Sequence, residues 1–196
     1  MPPPKRDKPD TPLRSDAQRN RERILRVATE ELTRCANAPL SAIAKKAGVG
    51  QGTFYRNFPH REALVLEVYR YEMQQVADAA PQLLARREPE RALREWLDHL
   101  ARFAMTKAGL ADAIRLVTSA PGGPAKPEPA PVTEAADLLL RANEEAGTIR
   151  PGVSADDFFL VLGGLWLVDP GEDWQPRVTR FLDFVMDGLR AGAPGR

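Results

Sequence analysis

Residues 44–62 read "AKKAGVGQGTFYRNFPHRE". Glycines stand at 48, 50 and 52, an aromatic pair Phe54-Tyr55 follows, and Pro59 closes the stretch. The pattern predicts one helix from about Leu40 to Ala47, a sharp turn, and a second short helix from about Gln51 to Asn57. Ile43 faces the core, and Ala44 keeps its side chain small where the second helix must cross. Gly48 supplies the left-handed residue that ends a helix abruptly. Val49 plugs the corner, Phe54 packs back onto Ile43, and Pro59 stops the second helix.

This is the spacing of a helix-turn-helix, with the motif at about residues 38–57, in which the second helix enters the major groove of DNA. Its N-terminal residues are Gln51, Gly52 and Thr53. Gln51 and Thr53 can hydrogen-bond base edges, a threonine methyl can meet a thymine methyl, and Gly52 allows close backbone approach. Tyr55 and Arg56 can reach phosphates, Asn57 completes the exposed side, and Lys45, Lys46 and Arg61 flank the site. An isolated Ala-x-x-x-Gly match is also what an ordinary helical hairpin carries. Charge adds weight: residues 1–61 hold 13 Lys/Arg and 6 Asp/Glu, net +7, whereas residues 62–196 hold 15 and 21, net −6. A basic head on an acidic body points to a polyanionic partner.

Working outward, "MPPPKRDKPDTPLR" (1–14) has no periodicity and reads as a disordered basic tail rather than an apolar leader. Ser15-x-x-Gln18 resembles a capping box before "RERILRVATEEL" (21–32), whose Ile24, Leu25, Ala28 and Leu32 share a face. Helical stripes continue through Leu64–Val76, Leu93–Ala104, Leu110–Val117, Val132–Ala142 and Val178–Leu189, with Pro81 expected to start a short helix of its own. Five prolines within 120–131 predict a flexible loop. The expectation is an all-α chain of nine or ten helices: a helix-turn-helix domain over 15–61 and a larger helical domain over 62–196. A single cysteine, Cys35, excludes an internal disulfide and suits a reducing, cytoplasmic home. The longest apolar run, Phe158–Val168, is too short to span a membrane. Two separated histidines, and no metal-ligand, nucleophile-elbow or phosphate-loop pattern, argue against an enzyme and against a cofactor.

"RERILRVATEEL" together with "IAKKAGVGQGTFYRNFPHREAL" resembles the TetR family of bacterial transcriptional regulators, over roughly residues 17–70. The resemblance implies a three-helix DNA-binding domain on a larger, variable, all-helical domain that binds a small-molecule effector and dimerises through its last two helices. It also implies a repressor acting on a palindromic operator in double-stranded DNA and released by ligand. An activator, or a DNA-binding protein without an effector, remains the alternative. Thr53 and Tyr55 match the family's DNA-contacting Thr and Tyr, and Arg61 stands where a Lys beside the DNA backbone is common. Pro39 departs from the pattern, replacing a Ser or Thr cap, and the connection from Leu32 to Leu40, with Cys35 inside it, is short.

In the second domain, "FFLVLGGLWLV" (158–168) is apolar all round and must be covered on every side. Phe158, Leu162 and Leu165, with Phe181, Leu182, Val185 and Leu189 of the last helix, are the candidates for a two-fold bundle with a second copy; burial within one chain is the other reading. Gly163 and Gly164 would allow close helix approach. Trp96, Leu100, Phe103, Phe159 and Trp166 are the candidate walls of an effector pocket, with His99 as a candidate hydrogen-bond donor.

Overall fold

The computed structural model describes residues 11–125, 130–171 and 173–195. Among these lie nine α-helices and one 3₁₀ turn, and no strand, as the apolar periodicity predicts. The helices are α1 (Thr11–Arg34), α2 (Leu40–Lys46), α3 (Gln51–Asn57), α4 (Arg61–Leu84) and α5 (Pro89–Thr106). They are followed by α6 (Ala108–Thr118), α7 (Ala130–Glu145), α8 (Ala155–Leu162), the 3₁₀ turn Gly163–Leu167 and α9 (Gln175–Arg190).

Helix α4 is central: it packs on α1 at its start and on α5, α6 and α7 further along. Leu64, Val65, Val68 and Ala80 on it are fully buried. Trp96 of α5, also fully buried, donates its indole N–H to the Val76 carbonyl of α4 at 2.9 Å. The buried Asn143 of α7 is satisfied on every side. Its amide donates to the Pro89 and Leu139 carbonyls at 2.9 and 2.8 Å, and its oxygen accepts from the Thr148 hydroxyl at 2.8 Å. A buried amide with all its bonds made fixes the α5–α7 register.

Five expectations are corrected. Helix α1 begins at Thr11, not Ser15, so 11–14 are helical; residues 1–10 of the expected tail lie outside the described residues. Gln18 donates to Glu22 at 2.8 Å rather than closing a capping box. Pro81 starts no helix: α4 runs through it to Leu84, because a proline in the last turn removes only one ladder bond. The predicted loop ends at 129, since α7 starts at Ala130 with Pro131 in its first turn, where a proline lacks no useful donor; residues 126–129 lie outside the described residues. Phe158–Val168 is not one helix either. Its glycine pair converts α8 into the 3₁₀ turn, and a Cβ on Gly164 would lie 3.0 Å from the Phe181 ring, whereas one on Gly163 would meet open space.

At Gly109 the backbone of α6 closely approaches that of α1. A Cβ on Gly109 would lie 2.3 Å from the Thr33 carbonyl oxygen and 2.6 Å from that of Leu32. Gly52 in α3 faces open space. Replacing glycine by alanine in a helix normally stabilises by up to about 1 kcal/mol. The sign should therefore split: Gly52→Ala raises the urea midpoint, and Gly109→Ala lowers it. A raised midpoint for Gly109→Ala would show that α1 and α6 do not make this contact.

Candidate functional site

The turn between α2 and α3 forms as its residues dictate. Gly48 has φ +64°, which a side chain would strain. The amides of Gly48 and Val49 bond the Lys45 and Ala44 carbonyls at 3.1 and 3.2 Å. Ile43, Phe54 and Phe58 are fully buried and Ala44 nearly so. Pro39 is the N-cap residue of α2 and offers no side-chain cap; its carbonyl still accepts from Ala42 and Ile43 at 3.1 and 3.2 Å.

On the outer surface of the motif Lys45, Gln51, Gly52, Tyr55 and Arg56 are exposed, while Thr53 and Asn57 are half-buried. The Arg56 guanidinium donates to the Thr53 hydroxyl at 3.1 Å, and Asn57 donates to the Thr53 carbonyl at 2.8 Å. Asn57 thus closes its own helix. Two of the expected flanking cations are committed to the protein. Lys46 bridges Glu30 and Glu31 of α1 at 2.8 and 3.0 Å. Arg61 donates to the Ala38 carbonyl at 2.9 Å and to that of Ala36, clasping the α1–α2 connection to the start of α4. Position in the sequence placed both beside the DNA-binding motif; the carboxylates and carbonyls they meet come from 15 to 25 residues upstream.

In the second domain a cavity of about 450 Å³ lies between α4, α5, α6, α7 and α8. Of the six residues expected to line it, Leu100, Phe103, Phe159 and Trp166 do. Trp96 does not, being core bonded to Val76. His99 lies instead on a shallower groove beside the cavity, with Glu72, Gln75, Arg102 and Thr106. The sequence reading missed Tyr69 and Met73 of α4, Ala111 and Ile114 of α6, Val132 of α7 and Lys107. Tyr69 and Met73 were visible as part of the α4 stripe but carry nothing that separates a wall from a core residue. Lys107 ends α5 and begins α6, and its ammonium lies 3.3 Å from the Glu72 carboxylate. Burial raises the Tyr69 phenol above its ordinary 10.0, keeping it neutral.

The residues expected to meet a second copy are largely spent within one chain. Phe158, Leu162, Leu165, Leu182, Val185 and Leu189 are all buried in this chain's own core, and Phe181 is half-buried against Gly164. The same elements nevertheless present an apolar surface on their other side. Leu160 is 80% exposed, Leu167 87% and Phe184 77%, with Val161 and Trp166 also exposed. Which stripe turns inward cannot be read from a run with no polar face.

Comparison with known proteins accords with both halves. Residues 24–68 match the family model described as bacterial regulatory proteins, tetR family, and residues 88–191 match that of the SbtR-like transcriptional regulator C-terminal domain. A TetR transcriptional regulator from Streptomyces coelicolor is 39% identical over 87% of this chain and 98% of its own, with a TM-score of 0.72. A TetR regulator from Mycobacterium vanbaalenii is 34% identical over 91% and 99%, with a TM-score of 0.68. The TetR family repressor FadR of Thermus thermophilus, solved in complex with lauroyl-CoA, is 27% identical over 86% and 94%, with a TM-score of 0.50. No curated protein sequence matches the chain. The chain belongs to the TetR family of bacterial transcriptional regulators. No helix among the described residues is long and apolar enough to cross a membrane.

The Lys46 bridge has a pH signature. Hydrogen bonds from Lys46 hold both Glu30 and Glu31 below the ordinary 4.5. A carboxyl depressed on folding contributes stability above its unfolded pKa and loses it as pH falls through its folded one. Lys46→Met should therefore lower the urea midpoint at neutral pH, and the gap to the parent should close as pH falls below about 4.5. A gap that stays constant down to acid pH would mean the bridge is not formed in solution.

Proposed function

We propose that this regulator is a homodimeric repressor, released from a palindromic operator when a small molecule enters the cavity between α4 and α6. Gln51 and Thr53 read base edges, and Lys45, Tyr55 and Arg56 hold phosphates. Lys46, Asn57 and Arg61 shape the head that presents them. The observation that carries the reading is the placement of the cavity. Its walls include α4 and α6, and both helices also pack on α1 of the head. A ligand that spreads those walls strains the head, and the two recognition helices of a dimer must keep about 34–36 Å between them to enter successive major grooves. Coupling of this kind is reciprocal. Affinity for an effector, measured with and without an operator selected from a random DNA pool, should differ by the same factor by which the effector weakens DNA binding. Equal affinities would end the effector reading.

The DNA-facing role of Gly52 separates from its effect on folding. Gly52→Ala adds a methyl to a surface that is open in the free protein, so DNA affinity should fall even though stability rises. Tyr55→Ala should weaken binding to all sequences alike, as loss of a phosphate contact does. Parent-like gel shifts for both variants would move the interface away from α3.

The exposed apolar surface of α8, the 3₁₀ turn and α9 is the proposed dimer face, continuous in chemistry with what a two-fold helical interface buries. Phe184→Glu places a charge at a site 77% exposed in the single chain. The fold should survive, while sedimentation should show a monomer and affinity for the palindromic operator should collapse. A Phe184→Glu protein that remains a dimer would place the interface elsewhere.

A further inference from the structure

The cavity and the shallow groove beside it are two compartments of opposite chemistry joined at shared residues. Phe103 and Lys107 line both. On the cavity side stand Tyr69, Met73, Phe159 and Trp166, an aromatic and aliphatic enclosure. On the groove side stand Glu72, His99, Arg102 and Thr106. Among the described residues, Lys107 is the one charged group on the cavity wall.

From this juxtaposition, and resting on the proposal that the cavity is the effector site, we infer that the effector is an amphipathic carboxylate. Its apolar body fills the cavity and its carboxylate is bound by Lys107 where the two compartments meet. A volume of about 450 Å³ falls in the usual range for a small-molecule site, about 300–1,000 Å³. The Lys107 ammonium has three donors. Its contact with Glu72, at 3.3 Å, is longer than the roughly 2.7–2.9 Å of a strong charge-assisted bond. The side chain is only 27% exposed, so a cation with unused donors sits at the lip of an apolar chamber. A neutral ligand would cover that charge and leave it only the long contact with Glu72, which is costly. A cationic ligand would find no free carboxylate among the described residues of the cavity wall: Glu72 is absent from it and already faces Lys107. Arg102, with no carboxylate partner among the described residues, leaves the groove with two fixed positive charges against one negative.

The test uses three probes of one shape and three charges, decanoate, decanol and decylamine, titrated calorimetrically into the full-length, DNA-free protein at neutral pH. Decanoate should bind about tenfold more tightly than decanol, the size of one charge-assisted hydrogen bond, and decylamine most weakly. Lys107→Met keeps the apolar stem and removes the charge; it should abolish the preference for decanoate while decanol binds as before. Glu72→Gln removes the competing negative charge and should tighten decanoate. Equal binding of decanoate and decanol, no binding by any probe, or a preference that survives Lys107→Met would overturn the assignment. A gel-shift arm keeps this distinct from the regulatory reading. Decanoate that binds selectively without releasing DNA sinks the effector role and leaves the ligand chemistry standing. Release by decylamine alone does the reverse.

Discussion

Everything in this molecule is arranged around one long helix whose apolar stripe is buried from its first turns to Ala80. Along α4, Leu64, Val65 and Val68 pack toward the head, and Met73, Val76, Ala77 and Ala80 pack under α5 and α7. Each large apolar side chain so buried contributes about 1.5–3 kcal/mol, and no rotation of the helix keeps one set in place while exposing the other. The consequence is mechanical. A helix of 24 residues spans about 36 Å, and here it runs unbroken from the DNA-binding motif to the far side of the cavity. Its first residue clasps the α1–α2 connection through the Ala36 and Ala38 carbonyls. Nearly two turns later Glu67 pairs with Arg21 of α1, whose guanidinium lies 4.9 Å from the centre of the Phe58 ring. The start of α4 is thereby part of the head as much as of the body.

The legible parts of the fold were those governed by neighbours in sequence. A left-handed residue at 48, a small one at 44 and apolar residues at 43 and 54 leave few ways to join two short helices, and α2 and α3 begin where those residues require. What stayed hidden depended on distant partners. Lys46 and Arg61 looked like DNA ligands because they flank the motif; their partners sit on α1 and the connection after it. Trp96 looked like a pocket wall because a large aromatic residue suits one, yet its indole N–H had a backbone carbonyl 20 residues upstream to satisfy.

The apolar stretch at 158–168 shows a different limit. Amphipathic helices announce their inner face by contrast with a polar one, and here there is no contrast. The structure divides the run by geometry: Phe158, Leu162 and Leu165 inward, Leu160, Val161 and Leu167 outward. On the last helix the stripe through Leu182, Val185 and Leu189 faces inward, and Phe184 stands on the opposite side. The residues expected to meet a second copy are buried in this chain's own core, and on the proposed reading the dimer face is the opposite side of the same elements.

On the proposed reading, two helices carry strain from cavity to head, and they differ in stiffness. The α4 route passes through side chains, whose rotamers can absorb part of a displacement. The α6 route ends at Gly109, where backbone meets the carbonyls of Leu32 and Thr33 with no side chain between them. Lys107 stands immediately before α6 and lines the cavity. A ligand drawing on that ammonium acts two residues from the contact with α1. Binding energy shifts an equilibrium only as far as it differs between the two states, so an effector that merely filled the apolar chamber equally well in both would be inert. The charge at the lip offers a difference. If the spacing of Lys107 from the chamber depends on where α6 sits against α1, then the carboxylate bond is made fully in one arrangement alone, and the glycine at 109 is what converts that preference into movement of the head.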